Sequence, residues 1–270
     1  MLNKIHCESN LSTMERMEDD FVDLVVTSPP YDNLRDYEGF EFDFESIAKE
    51  LYRIIKPGGV VVWVVNDATI KGSETGTSFK QALFFMECGF FLHDTMIYEK
   101  NGPAYPAHDK SNRYSSVFEY MFILSKGKPK THNLIKDRKN RWGGVSSFGK
   151  TSSRKKDGTI EKRKSIKVAE YGYRFNIWKY NNGKGFGGDD LSFNHPASFP
   201  EDLARDHIIT WSNEGDIVYD LFGGSGTTTK MAIILKRNWI MSDVSPKYCE
   251  IAKKRHKLAH EEAAKISFNF

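Results

Sequence analysis

Ser28-Pro29-Pro30-Tyr31 is the stretch whose residue types could do chemistry. It follows Val22-Asp23-Leu24-Val25-Val26-Thr27, an apolar, β-branched run of the kind that forms a buried parallel strand. Two prolines cannot continue a central strand, so the chain must turn into a stiff loop there. In open α/β sheets ligands bind at that carboxyl edge. The loop offers a small acceptor side chain in Ser28, backbone carbonyls that no proline N–H can claim, and the aromatic face of Tyr31. Acceptors for an exocyclic amine beside a ring for stacking suit a base taken out of its helix. A rigid turn that merely ends a strand explains the same prolines, and the loop by itself leaves both readings open.

A second motif stands far away in the chain. Asp220-Leu221-Phe222-Gly223-Gly224-Ser225-Gly226-Thr227-Thr228 reads as a strand end, a glycine turn and a helix start. Glycines let backbone approach a ligand closely, and the helix N-terminus beyond favours an anionic group. The motif is not a phosphate-binding P-loop, because Thr227 and not Lys follows Gly226, and it lacks the third glycine of the dinucleotide fingerprint. Asp243 ends the next strand, where a ribose diol is gripped in nucleotide-binding folds. A glycine loop with a strand-end acid suits a nucleoside with a short charged tail, a shape that S-adenosyl-L-methionine has. A tight turn without ligand is the competing explanation.

The elements that must carry these loops alternate in period. Residues 3–7, 22–27, 60–65, 91–99, 117–125, 217–221 and 239–241 are strand-like. Helical spacing runs from Phe44 to Lys56, where Pro57-Gly58-Gly59 is expected to stop it, and further helices cover 76–88, 200–211, 227–235 and 246 onward. Asn66-Asp67 falls at the ligand edge of its strand. The pattern predicts an α/β fold with about seven strands.

The chain has 270 residues and a net charge of only +3, distributed unevenly. Residues 126–192 hold 18 Lys/Arg against 6 Asp/Glu, so the remainder is net acidic. This basic stretch is interleaved with glycines and aromatics, and Arg154-Lys155-Lys156 and Lys162-Arg163-Lys164 stand out in it. A basic segment on an acidic body is the footprint of a polyanion-binding face, although a solvated basic loop has the same composition. Three widely spaced cysteines (Cys7, Cys88, Cys249) predict neither a disulfide framework nor a metal cage. The N-terminus lacks a signal-peptide pattern and no stretch has the ~18 apolar residues of a membrane span, so a cytoplasmic protein is expected.

Ser-Pro-Pro-Tyr near the N-terminus and Asp-Leu-Phe-Gly-Gly-Ser-Gly-Thr-Thr near the C-terminus together resemble the β-class S-adenosylmethionine-dependent DNA amino-methyltransferases, of bacteria, archaea or phages. The resemblance covers residues 4–125 and 194–257. It implies a Rossmann-like methyltransferase fold of mostly parallel strands with helices on both faces, in circularly permuted order. Residues 1–125 would form the catalytic half, 126–193 the target-recognition insert and 194–270 the cofactor half.

By the same resemblance Ser28 and the carbonyl of Pro29 hold the target amino group, with Pro30 stiffening the loop and Tyr31 stacking on the base. Asp220, Phe222, Gly223, Gly224, Ser225, Gly226 and Thr227 wrap the cofactor, and Asp243 takes its ribose hydroxyls. Glu8 stands where similar enzymes have an Asp on the adenine. His195-Pro196-Ala197-Ser198-Phe199-Pro200 resembles the segment lining the methionine end, or is simply the approach to a helix with proline in its first turn. The implied partner is double-stranded DNA, contacted through Arg154, Lys155, Lys156, Lys162, Arg163 and Lys164. A homodimer and a companion restriction endonuclease are further partners that the family allows, and no membrane is expected.

Among similar enzymes Ser at the first loop position is more frequent in cytosine-N4 enzymes and Asp in adenine-N6 enzymes, but Thr-Ser-Pro-Pro-Tyr occurs in both, so the resemblance leans to cytosine N4 with adenine N6 as the alternative. The ring-carbon route to cytosine needs a Pro-Cys nucleophile, and no cysteine here follows a proline. An RNA or protein-amide methyltransferase can also use a Pro-Pro-Tyr loop, but such enzymes place the cofactor loop first. A DNA-binding module without catalysis would not need the glycine loop and its acid.

Overall fold

The computed structural model describes residues 1–30, 42–103, 107–109, 111–145, 152–162, 167–181 and 199–267. It divides into two compact units, Met1–Asn133 with Asn176–Phe270, and Leu134–Phe175.

The first unit begins with β1 (Lys4–His6), α1 (Asn10–Glu15), β2 (Val22–Thr27), α2 (Phe44–Ile54) and β3 (Ile55–Val65). A small hairpin of β4 (Thr69–Ile70) and β5 (Ser73–Glu74) precedes α3 (Thr77–Glu87), β6 (Phe91–Lys100) and β7 (Phe118–Ser125). The second unit holds β8 (Arg138–Lys139) paired with β11 (Tyr171–Gly172), and a hairpin of β9 (Ser152–Arg154) and β10 (Ile160–Lys162). The chain then returns to the first unit with β12 (Ile177–Tyr180), α4 (Glu201–Trp211), β13 (Ile217–Asp220), α5 (Thr227–Ile234), β14 (Asn238–Ser242) and α6 (Pro246–Ser267).

The main sheet has eight strands in the order β1-β14-β13-β2-β3-β7-β6-β12. β7 alone runs against the rest. From β2 the chain proceeds to β3 on one side, whereas β13 and β14 fill the other. The crevice beyond the ends of β13 and β2 is therefore the topological switch point where such sheets bind ligands.

Burial on both faces explains the near-continuous apolar runs. Val61, Trp63 and Val65 of β3 join Val25, Tyr219 and Ile240 in a core with Met14, Ile47, Leu51 and Phe85 from α1, α2 and α3. The alternating residues Val60, Val62 and Val64 are equally buried on the other face, where α4 packs on β2 and β3 and α5 on β13 and β14. No helix among the described residues is long and apolar enough to cross a membrane.

Two differences from the sequence reading have local causes. Helix α2 ends at Ile54, and β3 starts at Ile55, ahead of Pro57-Gly58-Gly59. A register shift between Val22 and Leu24 absorbs the proline, and Gly58 N–H donates to Lys126 O at 2.7 Å. The eighth strand, β12, lies inside the stretch read as one insert. Its buried Trp178 and Tyr180 alternate with exposed Ile177 and Lys179, as an edge strand with one covered face requires.

Candidate active site and cofactor loop

The carboxyl ends of five adjacent parallel strands, β1, β14, β13, β2 and β3, carry the residues singled out for the base and the cofactor. Ser28-Pro29-Pro30 leaves β2 directly, with Pro29 buried and Ser28 and Pro30 half-buried. One strand over, Asp220 ends β13 and leads into the glycine loop. The hydroxyl of Thr27 donates to Asp220 Oδ1 at 2.7 Å, and Thr228 Oγ1 donates to Val26 O at 3.0 Å. The two loops are thus fastened to each other at their roots by buried hydrogen bonds.

Asp220 is fully enclosed, and loss of hydration pushes its carboxyl up to about 6 against the opposing pull of the Thr27 hydroxyl and the Phe222 N–H. Its role in the bare protein is to shape the loop. Phe222 turns its ring to Phe42 and Trp63, with centroids 5.6 and 6.3 Å away, so its side chain belongs to the packing under the crevice.

Gly226 opens α5 at φ +78°, a conformation natural to glycine, and a Cβ there would stand 2.9 Å from Ala252 Cβ. The N-cap residue of α5 is Gly226, which has no side chain to cap the helix. Gly224 N–H donates to Asp243 Oδ2 at 2.7 Å and Ser245 N–H to Asp243 Oδ1 at 2.8 Å. Burial raises the Asp243 carboxyl above its usual range despite those amides. The carboxylate braces the glycine loop and keeps lone pairs for further donors.

Behind the loop lies a charged cluster that sequence reading missed. Arg255 of α6 has no exposed surface. It donates to Ser225 O at 2.7 Å, Ser225 Oγ and Thr227 Oγ1 at 3.1 Å, and Glu201 Oε1 at 2.5 Å. Lys230 joins the same Glu201 oxygen at 2.7 Å. Nothing in a long helix rich in Lys and Arg marks one arginine as buried. Only the packing of α6 on α5 selects it.

Other expected residues are occupied locally. Glu8 follows β1, and its oxygens take the Thr13 hydroxyl at 2.8 Å and the Arg16 guanidinium. The Arg16 hydrogen bond holds that carboxyl below its usual range. Asp67, at the end of β3, accepts from the Ser78 N–H at 2.9 Å and the Ser78 hydroxyl at 2.6 Å, and so ties down the start of α3. In the second unit Arg154 Nε donates to Gly158 O at 3.3 Å and Lys155 lies 3.7 Å from Glu161, while Lys162 ends β10. Tyr31, Arg163, Lys164 and His195 to Ser198 lie outside the described residues.

This edge fits S-adenosylmethionine by its donor set. An uncapped helix start suits the amino-acid carboxylate, and the Asp243 carboxylate suits a diol. Asn10, buried beside the glycine loop with its Nδ2 on Leu221 O, has an Oδ1 with no protein donor among the described residues, an acceptor ready for a ligand N–H.

A mostly parallel sheet with the Ser28-Pro29-Pro30 loop and the glycine loop rooted on neighbouring strands is the arrangement expected of an amino-methyltransferase. Residues 22–254 match the N6/N4 methyltransferase family described as DNA methylase, and the chain belongs to that family. It is an S-adenosylmethionine-dependent DNA amino-methyltransferase of the β class. The chain is 57% identical over 245 residues to the orphan methyltransferase M.BamHII of Bacillus amyloliquefaciens, covering 90% of this chain and 91% of that one. The structure is similar to the PvuII DNA methyltransferase, described as cytosine-N4-specific, with a TM-score of 0.69 at 20% identity over 97% of this chain and 92% of that one. It is also similar to the M1.HpyAVI–SAM complex, with a TM-score of 0.59 at 22% identity over 93% and 98% of the two chains.

Proposed function

We propose that this enzyme methylates the N4 amino group of a cytosine flipped out of duplex DNA at a specific site. The observation that carries the reading is the Thr27–Asp220 bond, which fixes the amine loop beside the cofactor loop at 2.7 Å between hydroxyl and carboxyl. Ser28 at the head of the amine loop favours cytosine N4, and the PvuII enzyme of similar fold is described as acting there. Adenine N6 is the alternative within the same family.

An exocyclic amine is a poor nucleophile, because its lone pair is delocalised into the ring. Ser28 Oγ and the Pro29 carbonyl accept its two hydrogens, draw the nitrogen toward tetrahedral geometry and free the lone pair. Tyr31 stacks on the base and fixes its plane. The stiff prolines hold these acceptors in place before the base arrives, so positioning and preorganised dipoles lower the barrier. S-adenosylmethionine supplies an electrophilic methyl group when bound. Asp243, the amides of the glycine loop, Ser225 and the start of α5 would hold it, with Glu8 near the adenine. No covalent bond to the protein is needed.

Residues 126–193 are assigned to target recognition. In support, the unit Leu134–Phe175 carries 13 Lys/Arg against 4 Asp/Glu. The relative M.BamHII is named an orphan methyltransferase, which favours action without a companion endonuclease. Work on DNA inside the cell follows from the reading.

The test is base-resolved modification mapping on DNA from cells with and without the gene. N4-methylcytosine at one sequence is expected in the first only. N6-methyladenine at that sequence would replace the base assignment, and no modified base would remove the reading. Tyr31→Ala is expected to lower base capture by ~1–3 kcal/mol and to leave cofactor affinity intact.

A further inference from the structure

Among the described residues of the second unit, Arg138 has its guanidinium held as a flat fork. Arg138 Nε donates to Tyr173 O at 2.9 Å, and its guanidinium carbon lies 4.2 Å from the centroid of the Phe175 ring. The ring itself is 66% exposed. On the ribbon β8–β11, Arg138 stands directly opposite Gly172. A Cβ at Gly172 would meet Arg138 Nη2 at 2.5 Å, and the backbone there is not left-handed. Glycine at 172 leaves room for the Arg138 side chain to lie across the ribbon, and a larger residue there would push the guanidinium aside. No described residue accepts from Nη1 or Nη2.

The neighbouring cations differ. Arg174 is ion-paired with Asp137. Arg154 has a hydrogen bond to backbone but no ring beneath it. Arg141 lies 5.3 Å over Trp142 without a hydrogen bond to fix its rotation. Arg138 combines a ring, an Nε anchor and a cleared surface.

We propose that Arg138 reads a guanine of the target site through O6 and N7 in the major groove, a specificity role that rests on the duplex-DNA reading above. A phosphate is served by lysine as a point charge or by an arginine fork in many orientations, whereas readout of a base edge requires the guanidinium to be held in one plane. A guanidinium whose Nε is already engaged presents its two terminal nitrogens along one edge. Two acceptors side by side match that edge, and guanine alone offers them in the major groove. Adenine pairs its N7 with a donor, cytosine presents a donor, and thymine has a single acceptor beside a methyl group. The exposed Phe175 ring excludes water from one side of the fork and holds its plane, as stacked arginines are held.

The experiment uses the full-length protein and duplexes bearing the mapped methylation site, with each guanine in turn replaced by 7-deazaguanine. That analogue keeps base pairing and lacks the N7 acceptor. Wild type is expected to lose roughly 10- to 100-fold in kcat/KM at one guanine. Arg138→Ala is expected to be lowered on the normal duplex by a similar factor and to suffer no further loss at that guanine. Arg138→Lys should rescue little, and Phe175→Leu should blunt the same position while cofactor affinity stays at the wild-type value in each variant.

If Arg138→Ala retains the wild-type pattern of 7-deazaguanine penalties, the proposal is overturned. Uniform weakening on all duplexes, with a salt slope smaller by about one, would make Arg138 a phosphate contact and also overturn it. Failure of wild type to methylate any duplex would sink the DNA reading and this proposal together. Methylation by wild type with an unaltered guanine pattern in the variant sinks this proposal alone.

Discussion

Thr27 Oγ1 lies 2.7 Å from Asp220 Oδ1, joining the last residues of two adjacent parallel strands where the Ser28-Pro29-Pro30 loop and the glycine loop leave the sheet. Both residues are buried. Thr228, from the first turn of α5, closes the same junction by donating to Val26 O. The two residues are 193 positions apart in sequence, and the contact between them brings the roots of the two motifs together.

Thr27→Val keeps the shape of the side chain and removes its hydroxyl. A buried acceptor then loses a donor, so unfolding free energy should fall by ~1–3 kcal/mol. kcat should fall with it, because the two loops lose a shared anchor. Denaturant titration and steady-state methylation together check this. Wild-type values for both would show that the junction is ornamental.

Asp220 gives a pH dependence with a definite sign. Its carboxyl ionises near pH 6 in the folded protein against about 3.8 ordinarily. The folded state therefore binds a proton that the unfolded chain releases. This contribution to stability is fully present below about pH 4 and is lost as pH rises through 6, by up to about 3 kcal/mol. The Thr228 hydroxyl beside the carboxyl gives its hydrogen to Val26 and keeps lone pairs for a donor at position 220. Asp220→Asn should accordingly fold and should flatten stability between pH 4 and 6. A profile identical to wild type would exclude Asp220 as its source.

Asp243→Asn should weaken S-adenosylmethionine binding by ~10-fold or more, the effect of losing a charged acceptor worth ~1.5–3 kcal/mol. The same carboxyl is raised by burial. Wild-type affinity should therefore decline on acidification at a pH above the ordinary aspartate range, and the variant's should not. Calorimetric titration at several pH values measures both.

Arg255→Met should be the most damaging change outside the two motifs. It removes the donor to Ser225 O and Thr227 Oγ1 and leaves Glu201 with Lys230 alone, a loss of ~3–5 kcal/mol by comparison with other broken buried pairs. The double variant Arg255→Met with Glu201→Gln should recover part of that loss. Thermal unfolding with and without cofactor distinguishes a loosened loop from a loosened core.

Charge in the second unit should show in salt dependence. Each phosphate neutralised adds ~0.9 to the slope of log affinity against log salt. Replacing Arg154, Lys155 and Lys156 with Gln should flatten the slope on duplex DNA and leave cofactor affinity unaltered. Lys155 already faces Glu161 at 3.7 Å, so Arg154 and Lys156 should account for most of the change. Equal slopes would place the cluster outside the contact.

The sequence by itself determined the elements and both motifs. Continuous apolar, β-branched runs, Pro29-Pro30 and the glycines of 223–226 act through neighbours in the chain, where local sterics decide. The burial of β2 on both faces was equally legible, since a strand covered on both sides must be apolar throughout. What only the tertiary structure decided depends on partners remote in sequence. Trp178 and Tyr180 form a strand because β6 offers an open edge. Pro57 sits within β3 because a register shift opposite Asp23 accommodates it. Glu8 bonds to Arg16 and Thr13, and Phe222 packs on Trp63, through the placement of α1 and β3. Arg255 and Asn10 carry no mark in their own segments, for a buried cation or amide is defined by what surrounds it. The Thr27–Asp220 bond belongs here as well: a threonine after a valine run and an aspartate before a glycine loop become partners only when β2 and β13 lie side by side.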